Sequence, residues 1–261
     1  MNDSEKSKCH ICGQLRKLTN DHVPPKSCMT LQKVDVQSML SLILDSNLIY
    51  DNYKLKQQFQ NGIKYNTICE ECNSKLGLYY DKTLGKFIND LSDIFASKLQ
   101  IPPNFTLKSK PFRLIKGILG HSLSASLRFP NTVLDQKIRP FIFDEKISIP
   151  NDLNIYYYIS FLKNPYILQN FLIIPNNSTM LPNGELNSIF FKLVHFYPIT
   201  FLITDYNYFK LNNLAKFRNF TKNEIVDIEF TNTKRLPDNF PSTQDFMILP
   251  GDDSYVVKYK E

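Results

Sequence analysis

Two cysteine pairs, Cys9-x-x-Cys12 and Cys69-x-x-Cys72, with an Asp21-His22 dipeptide between them, are the residues of this chain best suited to chemistry. Two thiols three residues apart can wrap one side of a tetrahedral Zn2+ from a tight turn, and a second pair completes a four-thiolate site. Each pair runs into a small or turn-forming residue, Gly13 and Asn73, and two such pairs among only 5 cysteines point to zinc at Cys9, Cys12, Cys69 and Cys72. Disulfide frameworks belong to short secreted chains. Here Met1 to Lys8 is polar and charged, with no apolar run, so no secretory signal is expected and the thiols are expected to stay reduced in a cytoplasmic setting. Cys28 has no sequence partner and reads as a small buried hydrophobe.

Asp21-His22 is followed by Val23-Pro24-Pro25-Lys26, a step that fixes the backbone leaving the pair. On an extended strand the two side chains point to opposite faces. The carboxylate can then bind a cation while the imidazole takes a proton from water, provided twist or turn brings both to one substrate.

These residues resemble the HNH endonucleases, a family with a ββα-metal fold. The family pattern is C-x-x-C, then an Asp-His or Glu-His pair followed by a hydrophobic residue and Pro, then C-x-x-C-N or C-x-x-C-H opening a helix. This chain carries Cys9-His10-Ile11-Cys12-Gly13, Asp21-His22-Val23-Pro24-Pro25 and Cys69-Glu70-Glu71-Cys72-Asn73, over about the first third of its length. The resemblance implies that His22 is the general base and that Asp21 and Asn73 hold a catalytic Mg2+ or Mn2+. It makes Asn66 the nearest candidate for the amide that orients the base. It also implies DNA as the substrate, in a role such as restriction or anti-phage defence. Two departures stand out. The last position is Asn, which moves the expected metal preference toward hard Mg2+, and Ser27 to Tyr65 is a long insertion between the motifs. The competing expectation is a non-catalytic zinc-knuckle module that binds nucleic acid or protein.

The elements that must position these groups are expected to form an α+β fold. Residues 1–100 read as the zinc-stapled nuclease unit, with an insertion at 27–65 whose apolar run, Leu31 to Leu48, is expected to form an amphipathic helix packed on the core. Leu76 to Phe95 carries apolar residues at helical spacing and supplies the helix after the second knuckle. Residues 101–136 read as a linker, opened by Pro102-Pro103, and a helix whose margins carry Arg113, Lys116 and His121, the histidine expected on the helix surface. From about Lys137 the composition turns toward strands: Ile155–Ile159, Phe171–Ile174, Ile189–Val194, Ile199–Ile203, Ile225–Phe230 and Tyr255–Tyr259, with a hairpin signal at Asn183-Gly184. This β-rich region, 137–261, is expected to be a mixed or antiparallel sheet that buttresses the nuclease or takes a partner protein or activating ligand.

Charge agrees with a polyanionic partner. Residues 1–140 hold 20 Lys+Arg against 12 Asp+Glu, and residues 141–261 hold 11 against 13, so the net +6 sits with the motif-bearing half. Lys26, Lys64 and Lys75 adjoin the motifs and are the expected phosphate contacts. No apolar run approaches the roughly 20 residues of a membrane span, and with 8 glycines and no glycine-rich phosphate loop the chain does not read as an NTPase.

Overall fold

The computed structural model describes residues 6–28, 33–38, 56–97, 100–162, 166–175, 189–207, 209–234, 246–249 and 255–259. The protein is a mixed α+β structure with a four-cysteine cluster near its N-terminus.

Strands β1 (Ser7–Lys8) and β2 (Leu15–Arg16) pair across the first cysteine turn. β3 (Leu18–His22) pairs antiparallel with β6 (Lys64–Cys69), and β6 runs directly into helix α1 (Glu70–Lys75). The helix continues through a π-helical segment, Leu76–Asp81, into α2 (Lys82–Ser97). Leu76, Tyr80, Leu84, Phe87, Ile88 and Leu91 form the buried stripe that the helical spacing predicts, whereas Leu78 and Tyr79 face outward.

The insertion departs from expectation. Val34–Ser38 is a strand, β4, which pairs with β5 (Lys56–Phe59) on one side and β15 (Tyr255–Tyr259) on the other. The β-branched Val34 and Val36 favour the extended backbone, and the available strand edge decides the outcome over the local apolar run. Residues 31–32 and 39–48 of the expected helix lie outside the described residues, as does Asn183-Gly184.

The segment expected as a linker is β7 (Asn104–Ser109), antiparallel to β13 (Val226–Thr231). Pro102-Pro103 does favour extended chain, but Phe105 and Leu107 recruit a partner, and the Phe105 and Phe230 rings stack at 4.8 Å between centroids. Helix α3 (Pro111–Ser124) follows, then α4 (Val133–Phe143), which opens on a Thr132–Asp135 capping box. The change to strands therefore begins at Asn154, not at Lys137. α4 is amphipathic and well capped, and a cap outweighs the local β propensity.

The expected antiparallel sheet is present. Among the described residues it has nine strands, in the order β12 (Asn212–Asn213), β8 (Asn154–Ile159), β11 (Ile199–Thr204), β10 (Ile189–Phe196), β9 (Tyr166–Pro175), β15, β4 and β5, with β14 (Phe246–Leu249) also on β9. Ile225–Phe230 corresponds to β13, which pairs with β7 instead of joining this sheet. One hydrophobic core runs from Cys9 and Ile11 through α2 and α3 to Phe201 and Phe230. Helix α3 is its axis: every residue from Pro111 to Ser124 except Arg113 is buried.

Candidate functional site

The four cysteine Sγ atoms lie within 4.8 Å of one another, and Cys12 Sγ is 4.0 Å from Cys69 Sγ. A zinc ion with sulfur ligands at about 2.3 Å needs sulfur–sulfur separations near 3.8 Å, so a small contraction closes the site. The first turn is shaped by Gly13, at φ +73°, whose N–H donates to the Cys9 carbonyl at 2.8 Å. The second pair sits where β6 becomes α1, and the Cys69 N–H donates to Cys9 Sγ at 3.3 Å. A hydrogen bond from Cys72 holds the Cys9 thiol down at about 4, against burial. Burial pushes Cys12 up to about 11, and the bond to Cys9 followed by burial pushes Cys72 higher still. Without a cation the cluster favours one thiolate at the expense of its neighbours; four together call for a divalent ion such as zinc.

The cluster is braced against α3. His10 N–H donates to the Thr67 carbonyl at 2.9 Å, His10 Nδ1 donates to the Leu123 carbonyl at 3.3 Å, and Thr67 Oγ1 donates to the Ser124 carbonyl at 2.6 Å. The knuckle thereby fixes β3 and β6 relative to that helix.

β3 delivers Asp21 and His22 to opposite faces. His22 lies on the more open face, directly across from Lys64 in the register. Its Nε2 is buried and has no hydrogen-bond partner among the described residues. Burial, then Lys26 and Lys64, hold its pKa below the ordinary histidine value of 6.5, outweighing a backbone hydrogen bond with Asn61 and the charge of Asp21. The ring is therefore neutral at pH 7, able to accept a proton in a field that attracts anions.

The turn after His22 is clamped to α2. Ser27 Oγ donates to the Asp81 carbonyl at 2.9 Å and Asn89 Nδ2 to the Ser27 carbonyl at 3.2 Å. Gly85 makes this approach possible, since a Cβ there would lie 2.5 Å from Ser27 Cβ and 2.7 Å from its carbonyl oxygen.

Asp21 points inward and is only 5 % exposed. Its Oδ2 accepts from Ser124 Oγ at 2.6 Å and lies 3.3 Å from His121 Nδ1, at an angle that makes that contact Coulombic more than directional. On the other side of the ring, His121 Nε2 donates to Asp81 Oδ1 at 2.8 Å. His121 is fully buried, not on the helix surface as its sequence position suggests. Burial disfavours its charged form, but Asp81 and Asp21 prevail and hold the pKa up at about 10. An imidazolium thus sits between two carboxylates.

Asn73 turns back onto β3, where its Nδ2 donates to Thr19 Oγ1 and to the Asn20 carbonyl, each at 3.1 Å. With the nitrogen tied twice, the amide oxygen is the atom left to receive a cation. Asn66 does not reach His22: its Nδ2 faces Asn20 Oδ1 at 3.4 Å, its cross-strand neighbour. Lys26 and Lys64 flank His22, while Lys75 opens into a separate groove with Tyr79 and Arg113.

Asp81, His121 and Ser124 are missing from the sequence reading of the site. The sequence around His121 reads as one apolar stripe with polar margins, so its burial was not legible locally; once buried, the imidazole must find partners. Comparisons of the chain with models of protein families, with curated proteins and with solved structures find no match.

Proposed function

We propose that this protein is a metal-dependent endonuclease that hydrolyses DNA phosphodiester bonds, with His22 as general base. The observation that carries the reading is the single strand–strand–helix unit, β3, β6 and α1, on which His22 presents a neutral imidazole with an unbonded Nε2 while Asn73 is folded back on the same strand. With the ring turned so that the now buried Nε2 meets solvent, a water beside His22 can lose its proton to that nitrogen as its oxygen bonds to phosphorus and the P–O bond to the leaving oxygen breaks. Lys26 and Lys64 draw the phosphodiester toward that water, and Ser27, locked against Gly85, holds the turn from which Lys26 projects.

This reading assigns a Mg2+ or Mn2+ ion to two side-chain oxygens with no contact among the described residues. Both contacts to Asp21 fall on Oδ2, so Oδ1 and the Asn73 amide oxygen are the protein ligands on offer, and Mg2+ commonly takes few carboxylates and keeps its waters. Such an ion supplies charge to the phosphate and to the leaving oxygen. His121 and Ser124 act through Asp21: they hold one oxygen so that the other has a fixed direction.

A second reading has its own observation. Asp21 is nearly enclosed and already balanced by His121 and Ser124, as suits a structural carboxylate in a non-catalytic zinc module that binds nucleic acid or protein. Incubating supercoiled plasmid, linear duplex and single strands with Mg2+, Mn2+ or no divalent ion separates the two. Divalent-dependent cleavage that Asn73→Ala lowers by 100-fold or more supports hydrolysis. Binding with no cleavage under any of these conditions supports the module.

A further inference from the structure

We infer that the groove beside α1 is a separate binding track for a single-stranded nucleic-acid segment. It is bounded by Lys75 and Tyr79 on the helix, by the Asp144–Ser148 turn after α4 and by the Arg218–Lys222 turn before β13, and encloses about 1040 Å³. Small-molecule pockets fall at about 300–1,000 Å³, so the groove is at the upper limit of that class and admits more than one nucleotide.

Its charge selects an anion. Lys75, Arg113, Lys146, Arg218 and Lys222 line it against only Asp144 and Glu145. Both acids are engaged within the protein: Glu145 pairs with Lys222 at 2.8 Å, and Asp144 Oδ1 accepts from the Lys146 backbone N–H at 2.8 Å. The balance of +3, five cations less two anions, therefore faces the groove. The walls are held in place, since Arg113 ties the two sides together by donating to the Lys222 carbonyl, the Tyr79 carbonyl and Asn223 Oδ1. Tyr79, 46 % exposed, and Ile147, 38 % exposed, place apolar surface among the cations. A cationic track with an accessible aromatic face is the arrangement that holds unpaired strands, phosphates on the lysines and a base on the ring. This inference does not need the hydrolytic reading, because the groove shares no residue with His22, Asp21 or Asn73.

The test is fluorescence anisotropy of a labelled 12-nucleotide dT strand with the full chain and no added divalent ion, so that cleavage does not enter. Lys75→Glu/Lys146→Glu is expected to weaken binding at least 10-fold and to reduce the slope of log affinity against log salt by about 1.4, at roughly 0.7 per phosphate contact for single strands. Tyr79→Ala is expected to weaken binding by about 5- to 150-fold, in line with a stacking contact of about 1–3 kcal/mol. The matched reversal Lys82→Glu/Lys108→Glu, on exposed positions outside the groove, is expected to do less than threefold, and circular dichroism checks that each variant folds. Equal losses in both double variants, or none in the groove variant, overturn the assignment. Displacement of the strand by thymidine monophosphate at the same concentration as unlabelled dT12 also overturns it, in favour of a free nucleotide.

Discussion

Helix α3 separates two buried polar networks that look alike in composition and differ in whether they reach solvent: the sheet-side one is wholly enclosed, with Asp135 Oδ1 held by the charge of Lys192 and Ser122 Oγ without a hydrogen-bond partner among the described residues. On the sheet side, Lys192 Nζ lies 2.7 Å from Asp135 Oδ1 and donates to Gln169 Oε1 at 2.9 Å, Gln169 donates to the Ser122 carbonyl at 2.8 Å, and Asp135 Oδ2 accepts both the N–H and the hydroxyl of Thr132. Lys192 and Asp135 are 1 % and 0 % exposed. On the knuckle side, Asp21, His121, Asp81 and Ser124 form the corresponding cluster, but its ends are open. Asp81 is partly exposed, and among the described residues Asp21 has one oxygen uncommitted and the adjacent buried His22 Nε2 has no partner. The closed network fixes how sheet and helices meet. The open one reaches the surface through Asp81 and leaves atoms with unspent bonding capacity behind it, which is what a reacting site requires.

The contrast can be broken at several points. The largest effect is expected at the knuckle, where Cys72→Ser removes one of four ligands. Structural zinc contributes about 10–16 kcal/mol of apparent binding energy in small zinc domains, so bound zinc falls from one per chain to none by mass spectrometry, and amide exchange across β3 and β6 accelerates. Next comes the closed network: Lys192→Met leaves Asp135 buried without its cation and is expected to lower stability by about 3–5 kcal/mol in urea unfolding, with part recovered by adding Asp135→Asn.

The open network sets a pH dependence. The folded-state pKa of His121, about 10, lies above the ordinary 6.5, so folding favours its protonated form. That contribution is complete below pH 6.5 and is lost as pH rises through about 10. Urea midpoints of wild type and His121→Gln are therefore expected to differ most at pH 6 and to converge toward pH 10, whereas a purely steric role keeps the gap constant. The smallest effect is Gly85→Ala, which overpacks the Ser27 contact at a cost of about 1–3 kcal/mol. It is also expected to lower cleavage, because the displaced turn carries Lys26.

The four thiols, the helix after the second pair and most strands of the large sheet were legible in the sequence, because two-pair cysteine spacing, 3.6-residue periodicity and β-branched runs are local signals. The errors came where a distant partner decided the outcome. Val34–Ser38 became a strand because β15 offers it an edge from more than 200 positions away, and Asn104–Ser109 because β13 pairs with it. Asn66 could be placed near the motif by number but not by face, since strand alternation and a register shift between Thr19 and Asn20 turn it toward Asn20. His121 is the same lesson in the site itself: its role comes from Asp21 and Asp81, 100 and 40 positions away.

The central claim is that His22 removes a proton from water for phosphodiester hydrolysis on a zinc-held frame. Its most direct test is the single-turnover cleavage rate of wild type and His22→Ala with Mg2+, followed across pH alongside the zinc content of each. The account predicts that the variant keeps its zinc and its fold and loses cleavage by 100-fold or more, and that the acid limb of the wild-type profile lies below 6.5, the ordinary histidine value. Equal rates for the two proteins contradict it.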